Sequence, residues 1–362
     1  MSASPRFHEL TVSRIDPEAD GSVAVTLSVP PALRETFAFE PGQFLTLRAQ
    51  VQGQDLRRNY SICSTRNRLR DQGHLQVGIR PVAGGLFSNW AARELQAGQK
   101  LQVMPPEGRF IVQRPRALHR VGFAAGSGIT PILSILASTM EESDHAKFTL
   151  VYGNRRMDSV MFNEALQDLK DQYPNRITLI HILSRQAQEV PLLEGRIDAD
   201  KVTALMQAFL PAQSMDEVFI CGPEAMIEVT ENTLKAQGVP ADRIRTERFV
   251  TAGSAPVPRK ADRADARAQG EVALSIVLDG KRHELRIGHG DHILDAALDA
   301  GLDIPYSCKG GVCCTCRAKV IDGDVVMDKN FTLESWETQK GFVLSCQARA
   351  TSKTVTVSYD DR

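Results

Sequence analysis

Apolar and polar residues alternate in several short segments near the start of the chain. In Ser22–Val29 and His74–Ile79 every second side chain is apolar, which is typical of a strand with one buried face. Leu86–Leu95 is a single segment with a helical pattern. The pattern therefore predicts a small antiparallel β-barrel over residues 6–112, with one short helix beside it.

The pattern changes between residues 117 and 249, where apolar strands alternate with amphipathic helical segments. This alternation is typical of a parallel sheet covered by helices on both faces. Residues 121–140 carry no charge, but their glycines and proline favour a strand, a turn and a helix over a membrane span. The predicted strands are Val121–Ala125, Phe148–Tyr152, Ile177–Leu183 and Val218–Cys221, and the predicted helices are Pro131–Met140, Val160–Lys170, Val202–Phe209 and Ala225–Gln237.

Residues 251–270 contain small, charged and proline residues with almost no large apolar side chain, which predicts an interdomain linker. Strands at Val272–Leu278 and His283–Ile287 and a helix near His292–Ala300 are predicted after it. A chain of 362 residues is expected to form two or three domains. The predicted boundaries are 1–114, 115–250 and 271–362, with the linker between the last two.

Four of the seven cysteines fall within nine residues. A clustered, odd set in a chain without a secretion signal favours metal binding over disulfides. The spacing Cys308-x4-Cys313-x2-Cys316, completed by Cys346, is the plant-type ferredoxin spacing, in which four thiolates hold a [2Fe–2S] cluster. A zinc site usually has two C-x2-C pairs, and only one is present here.

Gly310 and Gly311 would let the cysteine loop wrap tightly and would direct backbone N–H groups at the sulfurs. Cys314 is an extra thiol in this loop. It could replace Cys313 as a ligand only by breaking both spacings, so we interpret it as a small residue beneath the cluster. The two remaining cysteines lie far away in sequence and are not ligand candidates.

Arg58, Tyr60 and Ser61 close a predicted barrel strand and have the chemistry of flavin ligands. An arginine binds phosphate with a fork of donors, a tyrosine covers the isoalloxazine ring, and a serine hydroxyl can bond flavin N5, which accepts hydride. An edge strand with a tyrosine is commonplace, so the motif depends on its context. A second phosphate could bind where glycines open the short helix. The residues of that segment are Gly84, Gly85, Leu86 and Ser88.

A glycine-rich turn follows the strand Val121–Ala125 and opens a helix. We expect Thr130 to cap that helix and Pro131 to take its first position, with a pyrophosphate at its N-terminus. The turn is not the G-x-G-x-x-G fingerprint, so the ribose-carboxylate rule is not applied, and an ordinary βα turn is the alternative. The candidate residues are Gly126, Ser127, Gly128, Thr130 and Pro131.

Cys221, Gly222 and Pro223 follow another strand of the predicted sheet. Ligands bind at the carboxyl ends of such strands, so this motif is expected to face the same crevice as the glycine turn. Cys221 could contact the nicotinamide or could be a buried thiol.

Ser184 and Arg185 follow the strand Ile177–Leu183, and Arg155 follows an earlier strand. An arginine at this edge can bind the 2′-phosphate of NADPH and so favour NADPH over NADH. Either arginine could instead be a solvated surface residue.

Composition agrees with a folded, multidomain chain, since 42% of the residues are hydrophobic and 24% are charged. The net charge of −1 and the lack of a dense Lys/Arg run argue against nucleic-acid partners. No apolar segment opens the chain, so we expect neither a signal peptide nor a membrane partner, and a cytoplasmic location.

With these motifs in order, the chain resembles the ferredoxin–NADP⁺ reductase superfamily with a C-terminal plant-type ferredoxin domain. Within it, the sequence is most similar to the reductase subunits of phenylacetyl-CoA epoxidase complexes. The resemblance covers nearly all of the chain. It is carried by Leu56–Cys63 (LRRNYSIC), Ala124–Pro131 (AAGSGITP), Leu150–Arg155 (LVYGNR), Phe219–Pro223 (FICGP), Glu247–Phe249 (ERF) and Pro305–Cys316 (PYSCKGGVCCTC).

The resemblance implies a six-stranded antiparallel β-barrel for FAD rather than FMN, an α/β parallel-sheet nicotinamide domain and a β-grasp α+β ferredoxin domain. It also implies that Thr130 and Phe249 lie near the flavin ring. Cys314 departs from the family, where a small residue without a thiol is expected, and this raises a question about oxygen sensitivity.

The expected function is electron transfer from NADPH through FAD and [2Fe–2S] to a di-iron oxygenase, most closely that of phenylacetate catabolism. Ser61 would orient flavin N5, while Thr130 and Cys221 would align the nicotinamide. Two alternatives stay open. One is a reductase of a ring-hydroxylating or steroid-hydroxylating oxygenase, and the other is a non-enzymatic iron–sulfur carrier subunit.

Overall fold

The structure is a computed structural model that describes residues 7–249 and 271–361. One compact unit comprises His8–Leu56 and Tyr60–Phe249, and a second contains Phe7, Arg57–Asn59 and the described residues 271–361. Arg57–Asn59 are described with the strand that contains them. The linker prediction for 251–270 falls outside the described residues. The domain boundaries therefore stay predictions, and each unit is described by itself.

The first unit begins with a curled antiparallel sheet of six strands in the order β4-β3-β6-β1-β2-β5. An antiparallel bridge between Ile62 and Val77 joins the chain just after β4 to β5, at the other end of that order. Leu75, Val77 and Ile79 are fully buried, so the period-2 pattern marks the face of β5 that packs inside. The strands are β1 (His8–Pro17), β2 (Val23–Ser28), β3 (Phe44–Val51), β4 (Gln54–Ser61), β5 (His74–Ile79) and β6 (Lys100–Val103).

Two helices accompany this sheet, α1 (Arg66–Gln72) and α2 (Leu86–Arg93). The prediction for α2 is confirmed, whereas α1 was missed. The sequence of α1 is polar except for Leu69, so it has no apolar periodicity to detect. Its ends are marked by local chemistry instead: Thr65 caps it by accepting a bond from the N–H of Arg68 at 3.2 Å.

The second half of this unit is a five-stranded parallel sheet in the order β11-β10-β7-β8-β9. Along β8, Phe148 and Leu150 join one buried cluster and Val151 joins another, so both faces of the sheet are covered. The predicted alternation is therefore confirmed. The strands are β7 (His119–Ala125), β8 (Lys147–Asn154), β9 (Ile177–Leu183), β10 (Glu217–Gly222) and β11 (Ile244–Arg248), and the helices are α3 (Ile129–Glu142), α4 (Asn163–Gln172), α5 (Ala199–Ala208) and α6 (Glu224–Ala236).

Two helices of this half begin at positions that differ from the prediction. Helix α3 begins at Ile129, so the expectation that Thr130 caps it is wrong; the Thr130 hydroxyl donates to the carbonyl of Ser127 at 3.0 Å. Pro131 is the third helical residue. Proline is tolerated there because the first four backbone N–H groups of a helix make no intrahelical hydrogen bond. Helix α4 begins three residues later than predicted, after Phe162 adopts a left-handed conformation with φ of 59°.

The second unit is a mixed five-stranded sheet in the order β13-β12-β18-β14-β16, with β12 and β18 parallel. Helix α7 (Ile293–Asp299) buries Ile293, Leu294 and Ala297 in the same core as these strands, as expected for a β-grasp domain. A short helix α8 (Ser335–Gln339) and a two-stranded sheet of β15 and β17 complete it. The strands are β12 (Glu271–Leu278), β13 (Lys281–Gly288), β14 (Arg317–Asp322), β15 (Val325–Met327), β16 (Phe342–Leu344), β17 (Ala348–Ala350) and β18 (Thr354–Ser358).

The uncharged run at 121–140 is divided between β7 and α3. Within the two described ranges, no helix has both the length and the apolar character that a membrane span requires.

Candidate redox site

The end of β4 presents the three residues that were predicted to bind flavin. Strand alternation places the side chains of Arg58 and Tyr60 on one face and that of Ser61 on the other. Arg58 is exposed, with its guanidinium donating to the carbonyl of Arg57 at 2.8 Å. The Tyr60 ring lies 5.7 Å from the ring of Phe87 in α2. An exposed cation beside an aromatic ring is a suitable set of groups for a flavin nucleotide.

Helix α2 begins directly after the predicted glycine pair. Gly84 has φ of +73°, and a side chain on Gly85 would place its Cβ 2.6 Å from Ser88 Oγ, so both positions favour glycine. The buried Ser88 hydroxyl accepts from the N–H of Val82 at 3.3 Å and donates to the carbonyl of Gly85 at 3.4 Å. Leu86 is the first helical residue, so the free N–H groups of this turn are available to an anion.

The glycine turn before α3 is fixed from two sides. A Cβ on Gly128 would lie 2.1 Å from the carbonyl oxygen of Cys221, so glycine is required where β10 ends against the helix start. Gly126 has φ of +53°, and its carbonyl accepts a bond from the Tyr152 hydroxyl at 2.9 Å. The structure therefore brings the glycine turn and the Cys-Gly-Pro motif into direct contact, as expected for neighbouring carboxyl ends of β7 and β10.

The Cys-Gly-Pro motif closes β10 and opens α6. Cys221 is fully buried, and burial raises the pKa of its thiol well above the usual value, as does the nearby charge of Glu247. A neutral buried thiol can contact a ligand but is not a nucleophile. A Cβ on Gly222 would lie 2.7 Å from the end of the Met226 side chain, and Pro223 directly precedes α6.

Glu247 is a candidate that the residue-level reasoning missed. It lies on β11 opposite Cys221, and its carboxylate oxygen Oε2 accepts a hydrogen bond from the Ser61 hydroxyl at 3.3 Å. Although the residue keeps some accessible surface, protein atoms surround the carboxyl, and this desolvation raises its pKa to about 8 against the lowering effect of Ser61. A proton is therefore held where the barrel meets the parallel sheet. The segment ERF matched the family, but burial of a glutamate on a short strand has no sequence signal.

Arg155 and Arg185, the two candidates for the 2′-phosphate, lie side by side. The backbone N–H of Arg185 donates to the carbonyl of Arg155 at 2.8 Å, and the N–H of Ser184 donates to Asn154 at 2.9 Å. Both arginine side chains are exposed. Two exposed arginines thus follow the neighbouring carboxyl ends of β8 and β9.

Thr130 and Phe249 were expected near the flavin ring from the resemblance. Thr130 is buried against the barrel, because a Cβ on Gly78 of β5 would lie 2.6 Å from Thr130 Cγ2. Phe249 follows β11 two residues after Glu247 and is 38% exposed. The contact of either residue with flavin stays a prediction.

The four predicted cluster ligands lie together in the second unit. Cys313, Cys316 and Cys346 are buried and Cys308 is half-buried. Their thiols form a chain of contacts, because Cys308 interacts with Cys313 and with Cys346, and Cys346 interacts with Cys316. A [2Fe–2S] cluster spreads four thiolates over two irons, so this donor set fits it.

Hydrogen bonds to sulfur also fit an iron–sulfur cluster. The N–H of Gly310 donates to Cys308 Sγ at 3.3 Å, and the amide of Gln347 donates to Cys346 Sγ at 3.7 Å. The prediction for Gly310 is confirmed, while Gly311 supplies the tight turn with φ of +77°. Such donors offset the negative charge of bound thiolates.

Iron binds the thiolate form of cysteine, so a raised thiol pKa opposes iron binding. The hydrogen bond that the Cys313 thiol donates to Cys308, together with burial, raises the pKa of Cys313 well above its usual value. Iron must therefore displace protons as it binds. Within residues 7–249 and 271–361, no group of three or more His, Cys, Asp or Glu side chains is arranged to hold a single metal ion. A [2Fe–2S] cluster differs from such a site because its four thiolates are divided between two irons.

Cys314 lies in the same loop with a left-handed backbone, φ of 58°. Its thiol donates to the hydroxyl of Thr332 at 3.0 Å. This contact gives the extra thiol a partner outside the set of four, in agreement with its interpretation as a small residue beside the cluster.

A pair of variants separates the ligand from its neighbour. We expect Cys313→Ala to lose most bound iron and acid-labile sulfide, because one iron is left with a single thiolate. Cys314→Ala should keep both at the level of the unmodified chain. Iron and sulfide per chain, measured after anaerobic reconstitution, check this. Equal losses in the two variants, or a full cluster in Cys313→Ala, would contradict the ligand assignment.

Three family models match successive parts of the chain. The oxidoreductase FAD-binding domain matches residues 23–111, the oxidoreductase NAD-binding domain residues 123–232, and the 2Fe-2S iron-sulfur cluster binding domain residues 276–351. The expected cofactors, FAD, a nicotinamide nucleotide and a [2Fe–2S] cluster, are therefore confirmed. The matches to both nucleotide-binding families favour the reductase over the alternative of a non-enzymatic iron–sulfur carrier subunit.

Curated relatives match along almost the whole chain. The chain is 43% identical over 358 residues to a subunit of the 1,2-phenylacetyl-CoA epoxidase of Escherichia coli (strain K12), covering 98% of both chains. It is 34% identical over 345 residues to the ferredoxin reductase component of 3-ketosteroid-9-alpha-monooxygenase of Rhodococcus rhodochrous, covering 94% of this chain and 93% of the relative.

Solved structures show the same fold. Phthalate dioxygenase reductase matches with a TM-score of 0.60 at 20% identity and covers 97% of this chain and 98% of its own. An intact type IV self-sufficient cytochrome P450 monooxygenase matches with a TM-score of 0.67 at 21% identity, covering 97% of this chain and 41% of its own. Together with the family models and the relatives, these matches show that the chain belongs to the FAD- and [2Fe–2S]-containing oxidoreductases that act as reductase components of multicomponent oxygenases.

Proposed function

We propose that this chain is the NADPH-dependent reductase of a di-iron oxygenase complex that epoxidises phenylacetyl-CoA. The observation that carries the proposal is the 43% identity to the phenylacetyl-CoA epoxidase subunit of Escherichia coli, which extends over 98% of both chains. The match therefore includes all three cofactor domains. The steroid-oxygenase relatives match over similar lengths at 34% identity.

The chemistry of the cofactors fits one task. FAD, when bound, would supply the conversion between a nicotinamide that gives up two electrons as hydride and a [2Fe–2S] centre that takes one electron at a time. The chain's own residues bind, orient and exclude water. Arg58 and the start of α2 would bind the flavin phosphates, and Tyr60 would cover the ring.

Ser61 and Glu247 would control a proton beside the flavin. With a pKa near 8, the Glu247 carboxyl is mostly protonated at neutral pH. Its deprotonation at higher pH would place a negative charge beside the group that receives hydride. Negative charge in a site of low dielectric opposes the arrival of more negative charge, so the protonated form is the active one.

Two arginines would select the nucleotide. Arg155 and Arg185 lie at the carboxyl edge of β8 and β9, which is where the adenosine half of a dinucleotide is expected when its pyrophosphate lies at the glycine turn. Charge-assisted bonds from two exposed guanidinium groups suit a 2′-phosphate. This arrangement supports NADPH over NADH as the donor.

The pH dependence of flavin reduction tests the role of Glu247. We expect the rate of flavin reduction by NADPH to fall as pH rises through the pKa of this carboxyl, near 8, and Glu247→Gln to remove that fall, because the amide cannot ionise. Stopped-flow absorbance of the flavin across pH 6 to 10 measures it.

Glu224→Gln is the matched control for that experiment, since Glu224 pairs with Arg248 at the surface, 2.8 Å away. It should keep the alkaline fall of the unmodified protein. An unchanged alkaline fall in Glu247→Gln would show that another group titrates.

Reconstitution with the oxygenase tests the proposed function. We expect the purified chain to support NADPH-dependent epoxidation when it is mixed with the other phenylacetyl-CoA epoxidase subunits and phenylacetyl-CoA. NADH should support less turnover than NADPH. Product formation by mass spectrometry, with NADPH oxidation followed in parallel, gives both results.

The alternative partner is tested in the same format. A 3-ketosteroid 9α-monooxygenase oxygenase component with its steroid replaces the epoxidase subunits, because the relatives at 34% identity serve that system. Turnover with the steroid system alone would reject the phenylacetyl-CoA proposal and retain the general reductase function. A chain that reduces ferricyanide with neither nucleotide would reject both.

A further inference from the structure

The barrel and the parallel sheet of the first unit meet closely at Gly78 in β5. A Cβ at this position would lie 2.6 Å from Thr130 Cγ2 and 2.9 Å from the ring of Phe162. Side chains do not approach so closely without a shift. Glycine therefore allows the start of α3 and the residue before α4 to touch strand β5 of the barrel.

Glu18 makes a second contact across the same seam, the boundary at which the barrel meets the parallel-sheet half. It lies between β1 and β2, and its Oε2 accepts a hydrogen bond from the backbone N–H of Phe162 at 2.7 Å. Phe162 has φ of 59° and ψ of 28°, a conformation that costs a residue with a bulky side chain on the order of 1 kcal/mol or more. Burial of its ring and the bond from its N–H to Glu18 are the contacts that hold it there.

Further contacts connect the Glu18–Phe162 bond, which we call the anchor, to the glycine turn. Met161, the residue before Phe162, places its carbonyl 3.4 Å from the Tyr152 hydroxyl. That hydroxyl donates to the carbonyl of Gly126 at 2.9 Å, and Tyr152 is fully buried. A continuous series of contacts thus runs from Glu18 in the barrel to the turn where the nicotinamide nucleotide is expected.

We propose that Glu18 is a positioning residue for hydride transfer, which sets the distance between the nucleotide-binding half and the flavin-binding barrel. The residues expected to bind the nucleotide all lie in the parallel-sheet half, so we expect them to keep their positions relative to one another when that half is displaced from the barrel. Hydride transfer depends on both halves, and a displacement of about 1 Å can cost about 100-fold in rate. Loss of the anchor should therefore slow transfer without weakening binding. The inference needs the nicotinamide-to-flavin reaction of the family, whichever oxygenase is the partner.

Stopped-flow reduction of the full-length protein, loaded with flavin and cluster, tests this inference. In Glu18→Ala we expect the limiting rate of flavin reduction by NADPH to fall about 10- to 100-fold, with the NADPH dissociation constant unchanged. Glu18→Gln should recover most of the rate, because its amide oxygen still accepts the N–H of Phe162. Amide hydrogen exchange of the segment around Phe162 should be faster in Glu18→Ala than in Glu18→Gln.

Two further variants keep the test decisive. Gly78→Ala should show the same loss of rate at constant affinity, since its methyl group separates the same surfaces. Glu164→Gln removes an exposed carboxylate near the same helix start and should behave like the unmodified protein. If Glu18→Ala fails to fold, Gly78→Ala and Glu18→Gln carry the comparison.

An unchanged rate in Glu18→Ala would overturn the proposal. So would a rate and an affinity that fall in proportion, because that result places the effect on nucleotide binding. Equal slowing in Glu18→Gln and Glu18→Ala would show that the bond to Phe162 is not the contact that matters.

Discussion

The hydrogen bond between Ser61 and Glu247 joins two residues that are 186 positions apart and belong to different sheets. It forms because β10 and β11 end at the edge of the parallel sheet that faces the end of β4. The same edge holds Gly128 against the carbonyl of Cys221. Ser61, Cys221, Glu247 and the glycine turn therefore lie together where these two sheet edges meet. The proposed electron transfer from NADPH needs all of them.

Much of the fold could be predicted from the sequence because each half has a distinct period. Alternating residues such as those of β5 mark the barrel, and the alternation of apolar strands with amphipathic helices marks the parallel sheet. Two of the elements that were missed, helix α1 and strand β11, lack such a period. Helix α1 has one buried apolar side chain, Leu69, and strand β11 buries only its first residue, Ile244, fully among the residues from 244 to 248.

The residues of the candidate site could be predicted where a local sequence pattern marks them, and not where the tertiary structure decides their role. The cysteine spacing is read directly because four ligands lie on one loop and one later strand end, and the structure brings their thiols together. Thr130 was predicted as a helix cap, but after the tight turn from Gly126 to Gly128 the helix already begins at Ile129. The Thr130 hydroxyl therefore lies inside the helix and donates to the carbonyl of Ser127. Glu247 was missed because its raised pKa comes from the surrounding protein, which no local motif records.

The proposed function requires that this one polypeptide takes electrons as a hydride pair and delivers them singly through an iron–sulfur centre. Anaerobic titration with NADPH, followed by visible absorbance and by electron paramagnetic resonance, measures both steps in one sample. We expect flavin absorbance to bleach and the signal of a reduced [2Fe–2S] cluster to appear in the same protein. Flavin that bleaches while a fully assembled cluster stays oxidised, or a reconstituted chain that remains colourless, would contradict it.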